Sequence, residues 1–248
     1  MTEHTDHKHS FWKNKQKSFY DTTEQKRIWY QPDSVFVTDM VKKFLAFTEI
    51  PLGAKILDVG CGAGRYSIPL IRLGYQITGI DLSQRLLDKF NEDATNCKLS
   101  SSQYELCCQD VESFAMERKG VFDAVIGFNI LHHIFDLDYC FSQIGKCLKK
   151  GGIVGFIEPN AYNPLHIIDI SLDRRWQAEG NIRNSTPKNL SKHLARNAYC
   201  DVACLRFGFF PPFVIDSIPV MARLEHLVER SRIFEYLLTF FIIKGCKK

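Results

Sequence analysis

The run Ile56-Leu57-Asp58-Val59-Gly60-Cys61-Gly62-Ala63-Gly64-Arg65 holds the residues best suited to chemistry. An apolar stretch enters three alternating glycines. Glycine serves where a ligand must come close to the backbone and a Cβ would be in the way. Asp58 stands just ahead of the turn. A carboxylate there repels a pyrophosphate and suits a ligand that carries an ammonium group. The dinucleotide pattern G-x-G-x-x-G, which seats a pyrophosphate on a helix N-terminus, has a different spacing. Spacing and charge both favour a cationic amino-acid nucleoside over a phosphorylated one.

Two further acids fall where such a nucleoside needs them. Asp81 ends the second apolar run, where its carboxylate can accept both ribose hydroxyls. Asp110 ends the third, placed to meet an adenine amino group, with Val111 beside it. A tight turn with solvated acids accounts for any one of these features but poorly for all of them in register. S-adenosylmethionine is therefore the expected cofactor. His132 and His133 follow the fourth run, and an unperturbed imidazole titrates near pH 6.5. His133 is the candidate general base, the alternative being that both rings only fix the loop. Glu158 ends the fifth run and either faces the pocket or is structural. Arg174, Arg175 and Arg183 read as an anion site or as a solvated face. Trp176, Phe207, Phe209, Phe210 and Phe213 read as an acceptor lid or as plain packing. No metal site is expected, and His4, His7 and His9 are read as part of a polar tail.

These residues need a frame. Val37, Met40, Val41, Phe44 and Leu45 repeat at helical spacing within 35–48, and Pro51 and Gly53 close that helix. Strands are predicted at 55–59, 76–80, 104–109, 122–128 and 153–157. Ser83 is predicted to cap a helix bearing Leu86, Leu87 and Phe90. Asp136 caps another, whose basic last turn and glycine stop are Lys149–Gly152. Strands alternating with helices predict an α/β fold, a doubly wound, mainly parallel sheet with helices on both faces. Thr186-Pro187 opens a later helix through 198. Strands at 200–207 and 237–243 end the chain. Insertions at about 159–186 and 211–235 interrupt this rhythm. Residues 1–48 are read as an N-terminal tail and helical cap, 49–248 as one cofactor-binding domain. The aromatics among residues 11–30 predict that this segment folds back onto the body.

Composition sets outer limits. The chain has 248 residues, 45% hydrophobic and 24% charged, which fits a globular domain and excludes wholesale disorder. Lys+Arg 32 against Asp+Glu 28 leaves +4, too little for a nucleic-acid partner to be expected. Nine cysteines without a C-x-x-C pair read as reduced thiols of a cytoplasmic protein. The polar N-terminus has no apolar core of a signal peptide. The apolar run 233–243 is shorter than the roughly 20 residues of a membrane span, so any membrane contact is expected to be peripheral. The sequence leaves the oligomeric state open.

ILDVGCGAGR, GIDLS, CCQDVESF, FDAVIGFNILHHI and LKKGGIVGFIEPN resemble the ordered motifs of class I S-adenosylmethionine-dependent methyltransferases. The group with the ubiquinone-biosynthesis enzymes is the nearest. The resemblance spans about residues 54–160. It implies a seven-stranded sheet of order 3-2-1-4-5-7-6 with strand 7 antiparallel, and methyl transfer to a small, hydrophobic acceptor. It implies that Asp58, Gly60, Cys61, Gly62 and Gly64 surround the methionine part of the cofactor and that Asp81 holds the ribose. Leu82 would pack on adenine, Asp110 and Val111 would meet its edge, and Asn129 would line the methionine side. Two departures stand out. Pro69 lies in the helix after the turn, where it is expected to cost a hydrogen bond and kink the helix. Asn197-Ala198-Tyr199 replaces a turn that usually holds glycine. An NAD-type oxidoreductase and a non-catalytic cofactor-binding regulator remain the alternatives.

Overall fold

The computed structural model describes residues 11, 13–15, 17, 18, 21, 32–163 and 182–248. Helix α1 (Val35–Thr48) starts at Ser34, whose hydroxyl accepts the Val37 N–H. It ends on Glu49 in the left-handed region, two residues before the expected Pro51 stop. Strand β1 (Lys55–Val59) and the glycine turn lead to α2 (Ser67–Arg72). Strand β2 (Gln76–Asp81) and the Ser83 cap precede α3 (Gln84–Asn96). Strand β3 (Tyr104–Cys108), α4 (Val111–Glu117) and β4 (Phe122–Phe128) follow. A short 3-10 turn, Leu131–His133, separates β4 from α5 (Leu137–Cys147), which Asp136 caps as expected. Strand β5 (Leu148–Pro159) begins at once. After a 3-10 turn at Ile182–Asn184 come α6 (Pro187–Arg196) and β6 (Tyr199–Phe207). Helices α7 (Pro212–Ser217) and α8 (Pro219–Glu229), a 3-10 stretch and β7 (Phe240–Lys247) complete the chain.

The seven strands form one sheet, ordered β3-β2-β1-β4-β5-β7-β6. β1 to β5 pair in parallel, and β7 runs antiparallel to β5 and β6. The central strands are buried on both faces, so they read as unbroken apolar runs. One core layer gathers Phe44, Ile56, Ile68, Phe90 and Ile126. The other gathers Leu57, Phe114, Val125, Phe141 and Phe156. Among the described residues no helix is long and apolar enough to cross a membrane.

Four local expectations change. Lys149–Gly152 do not end α5 but lie inside β5. Leu148 already pairs with Phe122, and the register shifts before Ile153 pairs with Ala124, with Gly151 at φ 73 in between. The last strand starts at Phe240, because Arg232–Leu237 coil into a 3-10 stretch. Pro69 does not kink α2. That helix begins only at Ser67, so Pro69 sits in its first turn, where the missing N–H would have had no helical acceptor. Ala198 takes the left-handed conformation (φ 62) itself, without glycine.

Candidate functional site

Parallel pairing brings the C-terminal ends of β1, β2, β3 and β4 to one edge of the sheet. Asp58 lies opposite Gly79 and Ile126, and Asp81 opposite Cys108. Open α/β sheets bind their ligands along this edge. The sequence-predicted residues Asp58, Gly60, Cys61, Gly62, Gly64, Asp81, Leu82, Asp110, Val111, Asn129 and His133 all belong to these strand ends or the turns that follow.

Asp58 is 2% exposed. Its Oδ2 accepts the hydroxyl of Ser67, nine residues on in the first turn of α2. Its Oδ1 is buried and accepts no hydrogen bond among the described residues. Burial, helped by the charge of Asp81 and opposed by the Ser67 hydroxyl, pushes its carboxyl up to about 7. Such a group is incomplete by itself, since buried carboxylates need a cation or donors. Asp81 pins the glycine turn. Its Oδ2 accepts the Gly62 N–H and its Oδ1 the Ser83 N–H, each at 2.9 Å. Burial raises this carboxyl too, against the pull of those N–H donors.

The glycines divide by role, which corrects the view that all three clear room for a ligand. All have positive φ. A Cβ on Gly60 would sit 2.5 Å from the Ile130 side chain, and one on Gly64 2.7 Å from the Phe90 ring. Protein packing demands those two. A Cβ on Gly62 would meet nothing nearer than Leu86 at 3.9 Å, so Gly62 alone faces open space. Cys61 is buried in the core layer, with its sulfur against Gly79, and burial pushes its thiol well up. It is therefore a packing residue of the turn.

Asp110 caps α4, its Oδ1 accepting the Ser113 N–H at 2.7 Å. Its Oδ2 meets the Lys13 ammonium at 2.9 Å, and Lys13 also reaches Glu112 at 2.6 Å. Burial works against the charge on Asp110, yet the Lys13 and Ser113 donors hold its carboxyl well below the usual range. Residues 11, 13–15, 17, 18 and 21 are helical, and Asp21 accepts the Ser83 hydroxyl. Through Lys13 and Asp21 the described residues of the N-terminal segment thus reach the β2 and β3 ends of the site. Of the aromatics behind the expected return, Phe11 is exposed and the rest lie outside the described residues; nothing in the sequence assigned Lys13 to Asp110.

Leu82 is partly buried beside Asp81, and Val111 is the buried first residue of α4. Asn129 stands just beyond β4 in the left-handed region (φ 55), its N–H on the Ile157 carbonyl at 2.8 Å. Phe128, just before it, stacks on the Tyr66 ring at 4.2 Å. His133 is buried, and its ring lies 4.0 Å from that of His132. Glu158, 0% exposed, belongs to this turn: its Oε2 meets His132 Nδ1 at 2.6 Å. Phe207 is buried, and Phe209 and Phe210 meet edge to face at 5.2 Å. Arg174, Arg175 and Trp176 lie outside the described residues, as does most of the first insertion. Nothing is described of the Phe213 side chain.

The edge therefore presents three carboxylates, one with a bare buried oxygen and one bonded to an open glycine. That set fits S-adenosylmethionine, whose ammonium and sulfonium are cationic and whose ribose and adenine donate hydrogen bonds. It fits a pyrophosphate badly.

Comparison with known proteins agrees. A family model described as a methyltransferase domain matches residues 52–199. A ubiquinone biosynthesis O-methyltransferase of Xanthomonas axonopodis is 38% identical over 102 residues, 41% of this chain and 41% of that protein. Its counterpart from Pelagibacter ubique is 32% identical over 102 residues, 40% of each. The matches thus span well under half the length of these relatives. Among solved structures, geranyl diphosphate C-methyltransferase from Streptomyces coelicolor superposes with a TM-score of 0.65, at 14% identity over 96% of this chain and 98% of that one. A methyltransferase from Archaeoglobus fulgidus gives 0.61, at 15% identity over 86% and 93%. At such identities the structures speak for the fold. The family model carries membership: the chain belongs to the methyltransferase-domain family, as a class I, S-adenosylmethionine-dependent member.

Proposed function

We propose that this protein transfers a methyl group from S-adenosylmethionine to a small, hydrophobic acceptor, on oxygen or carbon. The observation that carries the reading is the buried Asp58 carboxylate with one bare oxygen beside the open Gly62. When bound, S-adenosylmethionine supplies a methyl group already activated by a sulfonium. The protein has to hold that group, align the acceptor and exclude water. Asp58 answers the ammonium, and Gly60, Gly62 and Gly64 shape the turn around it. Asp81 has further lone pairs for the ribose hydroxyls. Leu82, Asp110 and Val111 border the adenine, and Asn129 the methionine side. His133 takes the acceptor's proton where the acceptor is an acid. Charge disperses during the transfer, so an apolar, desolvated surround such as Phe209 and Phe210 favours it.

An oxygen acceptor draws support from the relatives named for O-methylation. Carbon stays in the proposal because one structural neighbour is a C-methyltransferase. Nine free cysteines suit a reducing, cytoplasmic setting. The modest charge argues against nucleic-acid acceptors, and residues 1–48 are proposed as a cap on the cofactor domain.

A thermal-shift titration tests the reading. S-adenosylhomocysteine at 100 times its Kd should stabilise the protein by about 2.7 kcal/mol, and NADH should not. The reverse pattern would point to an oxidoreductase. Cofactor binding without transfer to any phenol or carbon acid in a broad panel would leave a binding protein instead.

A further inference from the structure

We infer that Glu158 is the positioning residue of the reaction centre: one buried carboxylate fixes the turn that carries the proposed base and keys it to the cofactor-binding glycines. The inference rests on the methyl-transfer reading and on His133 as the base.

Glu158 is fully buried at the end of β5. Its Oε1 accepts the backbone N–H groups of Ile130 and Leu131, each at 2.8 Å. Its Oε2 meets His132 Nδ1 at 2.6 Å, the Ser185 hydroxyl at 3.3 Å and the His132 backbone N–H at 3.4 Å. A carboxylate can only accept, so His132 carries its proton on Nδ1. Five donors from two segments thus converge on one side chain, and β4 and β5 hold it at the joint between them.

The turn passes this order on in two directions. Toward the cofactor, the Ile130 side chain is wedged against Gly60 and Gly127. A Cβ would meet it at 2.5 Å on the first and 2.6 Å on the second. Toward the acceptor, the His133 ring rests 4.0 Å from the His132 ring that Glu158 holds. Ser185 ties in the segment where the first insertion returns to the sheet, and its carbonyl accepts the Ala161 N–H. Simple structural burial would be served by an apolar side chain, with no need for five converging donors.

The carboxylate also sets charge at the base. An anion this close favours protonated imidazole, so removing it lowers the pKa of the neighbouring rings. Glu158→Gln keeps the shape, and its carbonyl can still accept the two backbone N–H groups. Its amide must then donate to His132 Nδ1 and so reverse the tautomer.

The test uses the full chain. In ¹⁵N-histidine spectra of the wild type, His132 should show Nδ1 protonated; an Nε2-protonated neutral ring would overturn the proposal. Glu158→Gln should bind S-adenosylhomocysteine within about 3-fold of wild type. It should lose at least 10-fold in kcat and move the acid limb of the kcat profile to lower pH, and Glu158→Asp should recover part of both. An unshifted limb with unchanged kcat would overturn it. Should the Gln variant not fold, Ser185→Ala takes its place. It should raise the acceptor KM several-fold with cofactor affinity unchanged, and no change would again overturn the proposal. A wild type that fails to bind S-adenosylhomocysteine would instead sink the methyl-transfer reading, with the tautomer result standing apart.

Discussion

Asp58 is a buried carboxylate that pairs with no cation among the described residues. Its folded pKa is raised to about 7, first by burial, so the neutral form is favoured in the ligand-free protein. The stability it lends is therefore full below the ordinary carboxylate range and is lost as pH rises through about 7. Cofactor affinity should do the opposite, rising through the same window as the carboxylate forms, and calorimetry with S-adenosylhomocysteine at pH 6 and 8 checks this. Asp58→Asn should cost about 10–100-fold in affinity, the equivalent of roughly 1.5–3 kcal/mol for a charged hydrogen bond. The glycines give a sharper contrast. Gly64→Ala brings a methyl to 2.7 Å from Phe90 at a φ of +77. It should lose about 2–5 kcal/mol from backbone strain plus overpacking, read as a lower Tm. Gly62→Ala meets only open space and should cost about 1–2 kcal/mol of stability. Its binding of S-adenosylhomocysteine should fall much further.

Two elements hold the rim of the site. The N-terminal segment is tied down by Lys13 between Asp110 and Glu112. That pair is part-exposed, so solvent screens it and Lys13→Ala should cost under about 1 kcal/mol globally. Its local effect should be larger: proteolysis within residues 1–21 should speed up several-fold while the core stays intact. At the other rim, α8 is fastened to α1. Lys43 pairs with Glu229 at 2.7 Å and Asp39 at 2.8 Å, and lies 5.5 Å from the Phe207 ring. Glu225, 3% exposed, accepts the N–H groups of Phe209 and Phe210. Lys43→Ala strands partly buried acids and should lower stability by about 1–3 kcal/mol, visible by chemical denaturation.

For the whole molecule the buried carboxyls form two opposed sets. Burial acts against the charge on Glu158, but His132 and the backbone donors outweigh it and hold its pKa below the usual range. Its stabilising share is present above the ordinary carboxylate range and lost as pH falls through the depressed value. Asp58, Asp81 and Glu225 are shifted upward, chiefly by burial, and behave the other way. Wild-type Tm should therefore drop steeply below about pH 4.5. Glu158→Gln, lacking that carboxylate, should show a shallower acid limb in a pH series of melts.

Sequence by itself determined the order of the strands, most of the helices between them though not α4, the caps at Ser83, Asp136 and Thr186, and the strand ends that carry the candidate site; the family resemblance carried the sheet order and its antiparallel last strand. Periodicity, capping chemistry and glycine spacing are local, and the family's motifs are contiguous, so each can be read along the chain. Tertiary structure decided what local order cannot express. It moved the start of β7 to Phe240 and drew Lys149–Gly152 into β5 as an irregular stretch, because Leu148 before them and Ile153 after them both pair with β4. It assigned two glycines to packing against Ile130 and Phe90, and brought Lys13 across 97 residues to Asp110. It also gathered five donors around Glu158 from turns up to 28 residues away. Contacts between distant segments depend on how layers stack, and no spacing rule along one chain contains that distance.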